Sequence, residues 1–355
     1  MITEMILAQI AKTIKYVKPV PFGSATGLAA EVYQQMRADY LPLPLLTLHS
    51  PAPAMMAGVW SVLRETLLAG RVDRTLKEVV AATVSKINEC PFCVDAHTMM
   101  LHATSDHDVA GAIRQGDYDR IQEPQLHALA RWVLANRTPH ANGALPPPFF
   151  DHEAPEIIGV AVAFHYINRM ANVFLGDSPL PTPPALRGVA GRLLGITAGK
   201  RFVRRLQPGH SLKFVPQAKL PDDLSWAAAN PAVAGAFAGL AGVVEEAGRR
   251  VLPEPVRFLV AERIGAWHGE AMGLSRSWVE EAVVELREAH RAAARLALLT
   301  AFASYQVDAG GVEDFQAHYP DDAQLIAATA WASFSAARRA GVWFAAPLAA
   351  VGREQ

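Results

Sequence analysis

The chain has 355 residues, 51% of them hydrophobic and 19% charged, with a formal net charge of −1. This composition fills one or two cores and excludes disorder. The balanced charge leaves no electrostatic footprint for nucleic acid or anionic lipid, and two cysteines in this length exclude a secreted disulfide scaffold.

From the N-terminus, Ile2, Met5, Ile6, Ile10, Ile14 and Val17 recur at helical spacing, with Glu4, Lys12 and Lys15 among them. The pattern predicts an amphipathic docking helix and makes a poor signal peptide, so a reducing cytoplasm is the expected compartment. Apolar residues at i, i+3 and i+4 then mark helices over 76–87, 125–136, 156–174, 278–288, 289–305 and 323–343. Period-two alternation is scarce. Pro146-Pro147-Pro148, Gly176-Asp177 and Pro320-Asp321-Asp322 punctuate the helices. The predicted fold class is all-α. The longest uncharged stretch, 226–244, is mainly Ala and Gly and is broken by Asn230-Pro231, so no membrane span is expected.

Residues 180–221 differ. They begin proline-rich and then carry Arg187, Arg192, Lys200, Arg201, Arg204, Arg205, Lys213 and Lys219. This reads as a solvated connector, with a phosphate-binding or acidic-partner patch as the sharper alternative. The flanks resemble each other: 157–164 matches 325–332 at an offset of 168, and 108–113 matches 277–282 at 169. The prediction is a duplicated helical domain, with 1–179 as the first copy, 180–221 as connector and 222–355 as a degenerate second copy. At an offset of 170, Val260, Arg263 and Trp267 stand against Cys90, Cys93 and His97. The second copy therefore carries no thiol chemistry and is expected to supply the interface a second subunit would otherwise supply.

Both cysteines lie in Cys90-Pro91-Phe92-Cys93. Such a pair can close a small disulfide, react as paired thiols or hold half a metal site. Proline is favoured at the first helical position, which makes Cys90 the N-cap and puts Cys93 in the first turn. His97 follows at i+4 and shares a face with Cys93. A helix N-terminus favours a thiolate. His97 would lower the thiol pKa when protonated and take the thiol proton when neutral. Glu78 lies twelve residues before Cys90, on a helix starting near Thr75. On pattern alone it reads as an exposed helix charge. A carboxylate beside a thiol raises the thiol pKa, so its useful role there is to pass protons. Cys90, Cys93, His97 and Glu78 have the donor types for zinc, but structural zinc sites draw on a second close pair that is absent here, and no metal is expected.

Glu78, eleven intervening residues, Cys90-Pro91-Phe92-Cys93, three intervening residues and His97 together resemble the core motif of the AhpD-like alkylhydroperoxidases, within the carboxymuconolactone decarboxylase superfamily. Residues 164–169 resemble that family's closing helix. The resemblance is specific over about 73–102, extends to about 176 and fades beyond the connector. It implies an AhpD-like helical bundle and a homo-oligomer. It also implies a thiol-dependent peroxidase or disulfide reductase that reduces organic hydroperoxides in antioxidant defence. Electrons would come from a lipoyl-bearing or other dithiol donor, with no bound cofactor. Carried over, Cys93 matches the peroxidatic cysteine, Cys90 the resolving one, and Glu78 and His97 the proton relay. Geometry by itself leaves the two cysteine roles interchangeable. Phe92 stands where the best-known members have a second histidine, so the relay would run through Glu78, His97 and water.

Phe92, Met99, Met100, Trp60 and Phe164 read either as walls of an apolar peroxide pocket or as core. His102 reads as incidental, and His165, Asn168 and Arg169 as structural residues ordering the cysteine helix. Two competing functions remain in view: a non-catalytic redox sensor with a regulatory disulfide, and a decarboxylase-like lyase on the same fold, which needs no cysteine pair.

Overall fold

In the computed structural model the described residues are 13–104, 107–139, 145–180, 182–198 and 203–351. Helices carry the fold, and no strand forms among these residues. Most of the predicted N-terminal helix falls in 1–12, outside the described residues. Its last positions, Ile14 and Val17, lie in irregular backbone, where Tyr16 takes a left-handed φ of 66°. Lys15 N–H instead bonds the carbonyl of Phe174 at 2.7 Å.

The first half comprises α1 (Gly27–Asp39), α2 (Pro44–Thr47), α3 (Pro53–Leu63) with a π-turn at Arg64–Leu68, α4 (Arg74–Ile87), α5 (Pro91–Ala103), α6 (His107–Gln115), α7 (Pro124–Ala135) and α8 (Ala154–Phe174). Residue chemistry sets several starts. Asp73 accepts from Thr75 N–H ahead of α4, and proline occupies the first positions of α3, α5 and α7. Helix α4 packs against α5, α7 and α8. Among the described residues, α8 is the one helix long and apolar enough to cross a membrane, and 94% of its apolar window is buried inside the protein.

The connector contains a helix, α9 (Arg187–Ala198), which packs on α5. Its Gly195 sits against the Met99 carbonyl, too close to admit a Cβ, while Leu186, Val189, Leu193 and Ile196 are exposed. This part of the connector is therefore packed on the cysteine helix by its small residues, which periodicity of large apolar residues does not reveal.

The second half comprises α10 (Pro231–Val251), α11 (Glu254–Ala266), α12 (Ser277–Val283), α13 (Glu288–Phe302), α14 (Ala309–Gln316) and α15 (Asp322–Val351). These helices fit a duplicated bundle. Asn230 caps α10 by accepting from Ala232 and Val233 N–H. The helix expected over 278–288 stops at Val283, and Arg291 binds the freed carbonyls of Val284 and Leu286 at 2.7 and 3.0 Å. The longest helices of the halves, α8 and α15, lie against each other. Gly341 permits that approach, since a Cβ there would stand 2.8 Å from Val162 Cγ2.

Candidate active site

Helix α4 ends at Ile87, and the chain reverses through Asn88 and Glu89. Glu89 holds a left-handed φ of 51°, which a non-glycine residue adopts at a cost of about 1 kcal/mol. The reversal delivers Cys90 as the N-cap of α5, and Cys93 N–H donates to its sulfur at 3.4 Å. The Cys90 thiol donates to Cys93 Sγ at 2.7 Å, and each cysteine is 1% exposed. Burial pushes the Cys90 thiol well above its ordinary range, and the Cys93 sulfur adds to that rise.

Glu78 lies on α4, fully buried rather than exposed. Its Oε2 is 2.6 Å from His97 Nδ1, and its Oε1 accepts from Arg74 Nε at 2.6 Å. Burial raises the carboxyl pKa, but Arg74 and then His97 outweigh it and hold Glu78 below the usual carboxylate range. An ionised Glu78 only accepts, which assigns the proton of the contact to His97 Nδ1 and leaves Nε2 as the nitrogen able to exchange protons. Phe164, from α8, sets its ring edge-on to His97 with centroids 4.4 Å apart. The structure thus joins Glu78 to His97 between α4 and α5, and Cys90 to Cys93 at the start of α5.

Residues 53–133 match the carboxymuconolactone decarboxylase family. The chain is also 39% identical over 337 residues to alkyl hydroperoxide reductase Rv2159c of Mycobacterium tuberculosis (strain ATCC 25618 / H37Rv). That match covers 94% of this chain and 96% of the relative. The chain belongs to the carboxymuconolactone decarboxylase family, on its AhpD-like side.

In this AhpD-like site the remaining expected residues divide. Asn168 reaches the cysteine turn: its Nδ2 donates to Ser85 Oγ and its Oδ1 accepts from Asn88 Nδ2, both at 3.0 Å. His165 and Arg169 do not order the cysteine helix as expected. Arg169 Nε donates to the Ala301 carbonyl at 2.8 Å and its guanidinium lies over Trp267, so it fastens α8 to the second half. His102 pairs with His107, nitrogen to nitrogen at 3.0 Å, away from Glu78. Of the pocket candidates, Phe164 touches His97, Met100 lies 3.9 Å from the Tyr40 hydroxyl, and Met99 lies under α9. Trp60 bonds Gln35 instead, at 2.7 Å. Among the described residues no three His, Cys, Asp or Glu side chains gather as metal ligands.

Sequence reasoning missed Arg74, although its i−4 spacing to Glu78 was a readable signal. It also missed Asp95, which braces α5 by accepting from Arg114 and from Ser178, each at 2.5 Å. Ser85, Asn88, Asn172 and Ser304 had no local signature, because their partners lie far away in the chain.

Proposed function

We propose that this protein is a thiol-dependent peroxidase that reduces alkyl hydroperoxides through Cys93 and Cys90 and is recycled by a dithiol donor. The observation that carries the reading is a buried thiol pair at the start of α5, one helical turn before a His97 whose Nδ1 lies 2.6 Å from Glu78. The name of the mycobacterial relative points the same way.

Both cysteines are equally buried, and the Cys90 S–H directed at Cys93 favours Cys93 as the nucleophile, in agreement with the family pattern. The Cys93 thiolate attacks the distal oxygen of ROOH. The O–O bond breaks, Cys93 becomes the sulfenic acid, and the departing alkoxide takes a proton held by His97 to leave as ROH. His97, kept in register by Glu78, recovers a proton through water. Cys90 then attacks the Cys93 sulfur, forming the disulfide and releasing water. An external dithiol, such as a lipoyl group, reduces the disulfide by two exchanges and departs oxidised. A homo-oligomer working in the cytoplasm completes the proposal.

The test is consumption of cumene hydroperoxide by reduced protein with excess dihydrolipoamide, comparing wild type with Cys93→Ser and Cys90→Ser. Repeated turnover in wild type, lost in both variants, is the expected result. One equivalent consumed, followed by a disulfide that no dithiol recycles, would replace the catalyst with a redox sensor.

A further inference from the structure

The turn that delivers Cys90 is held by α8, and one of the α8 side chains that hold it is itself bound from the second half of the chain. Ser304 follows the end of α13, and its Oγ lies 3.0 Å from Asn172 Nδ2. The same Nδ2 donates to the carbonyl of Asn88 at 3.1 Å. Asn88 Nδ2 donates in turn to Asn168 Oδ1, and Asn168 Nδ2 donates to Ser85 Oγ. On the same residue, the Ser85 carbonyl accepts from Cys90 N–H at 3.0 Å. An amide nitrogen has two protons. Asn172 spends one on Asn88 and one on Ser304. Asn168 spends one on Ser85. The two asparagines stand at i and i+4 on one face of α8, so the helix spaces the ladder.

We propose that the second half of the chain positions Cys90 for closure of the disulfide, acting through Ser304, Asn172, Asn88 and Asn168. The inference rests on the dithiol reading above and adds a partner for its second step. In that step Cys93–SOH and Cys90–SH become the disulfide and water. The Cys90 sulfur must give up its proton as it forms the S–S bond, and the hydroxyl leaves Cys93 with that proton. With the turn held and the Cys90 N–H bound to the Ser85 carbonyl, the Cys90 sulfur stays 2.7 Å from Cys93 Sγ and closure needs no rearrangement of the turn. The ladder also over-determines the left-handed Glu89, the strained residue that sets where Cys90 begins α5. Ser304 lies 132 residues from Asn172, so this outermost bond of the ladder forms only when both halves are folded and apposed. These side chains position the cysteine; none is required to touch the peroxide.

The experiment uses the full chain, reduced, with one equivalent of cumene hydroperoxide. Loss of hydroperoxide in the first turnover reads attack by Cys93. Intact mass after quenching, with and without dimedone, reads sulfenic acid against disulfide. In Ser304→Ala the ratio of closure to attack should fall about fivefold, as expected for one neutral hydrogen bond. In Asn168→Asp, where a carboxylate replaces the N–H donor, it should fall by about tenfold or more. The dimedone adduct on Cys93 should rise in both. An unchanged ratio in a Ser304→Ala protein with wild-type circular dichroism and melting overturns the inference, as does equal slowing of both steps. If Asn168→Asp fails to fold, Ser304→Ala decides alone. If wild type yields neither sulfenic acid nor disulfide, the dithiol reading falls and takes the inference with it, an outcome distinct from a working pair whose closure ignores Ser304.

Discussion

Arg74 and His97 hold opposite oxygens of the buried Glu78 carboxylate, each at 2.6 Å. A carboxylate with no solvent exposure keeps its charge only where cations face it. Arg74 is therefore what lets Glu78 act as a permanent acceptor for His97, while one of its own nitrogens, Nη2, is buried without a hydrogen-bond partner. Both consequences are open to test by substitution.

Arg74→Met should raise the Glu78 pKa, because burial then acts with only His97 opposing it. The acid limb of the pH–rate profile for the proposed hydroperoxide reduction moves to higher pH, and Arg74→Lys partly restores it. Breaking a buried pair by removing one member costs about 3 kcal/mol, so a urea titration should show a lower midpoint for Arg74→Met. A pH profile unchanged from wild type would remove Arg74 from the proposed relay.

Glu78 also sets an acid dependence of stability. Its folded pKa lies below its ordinary value of 4.5, so its contribution is fully present above 4.5 and is lost as pH falls through the folded value. Glu78→Gln should destabilise the protein at pH 7 and flatten that part of the stability–pH curve. Denaturant midpoints measured from pH 3 to 7 provide the check.

His49 contributes a second acid limb. It is fully buried beside the Tyr166 hydroxyl, 2.8 Å from Nε2, and burial drops its pKa from 6.5 to about 4. The unfolded chain therefore binds the extra proton first. Stability falls as pH drops from 6.5 and the loss levels off near 4, amounting to about 3 kcal/mol. His49→Gln should make the slope between pH 6.5 and 4 shallower, with the buried His165 and the half-buried His102 keeping their share, and identical slopes in the two proteins would contradict the assignment.

The contact between halves depends on a missing side chain. Gly341→Val forces α15 away from Val162 on α8, at a cost of about 1 to 3 kcal/mol for overpacking. Thermal melting should show a drop of several degrees. An unchanged melting temperature would mean that the packed α8–α15 face yields without cost.

Local chemistry made much of this protein legible before folding. Helical periodicity fixed the all-α class and the positions of α4, α7, α8 and α15, because a 3.6-residue repeat is a property of consecutive residues. Pro91 set the start of α5 and thereby placed Cys90, Cys93 and His97 relative to one another. The spacing from Glu78 to His97 carried the family resemblance. Only tertiary structure decided that Glu78 is buried, that Arg74 neutralises it, and that Asn168 faces the cysteine turn while His165 and Arg169, on the same helix, face the second half. Nor could the chain announce that α9 packs by its glycines or that Ser304 binds Asn172, the side chain that holds the Asn88 turn. Those facts depend on which surfaces meet, and pairs 83 to 132 residues apart leave no periodic trace in the sequence.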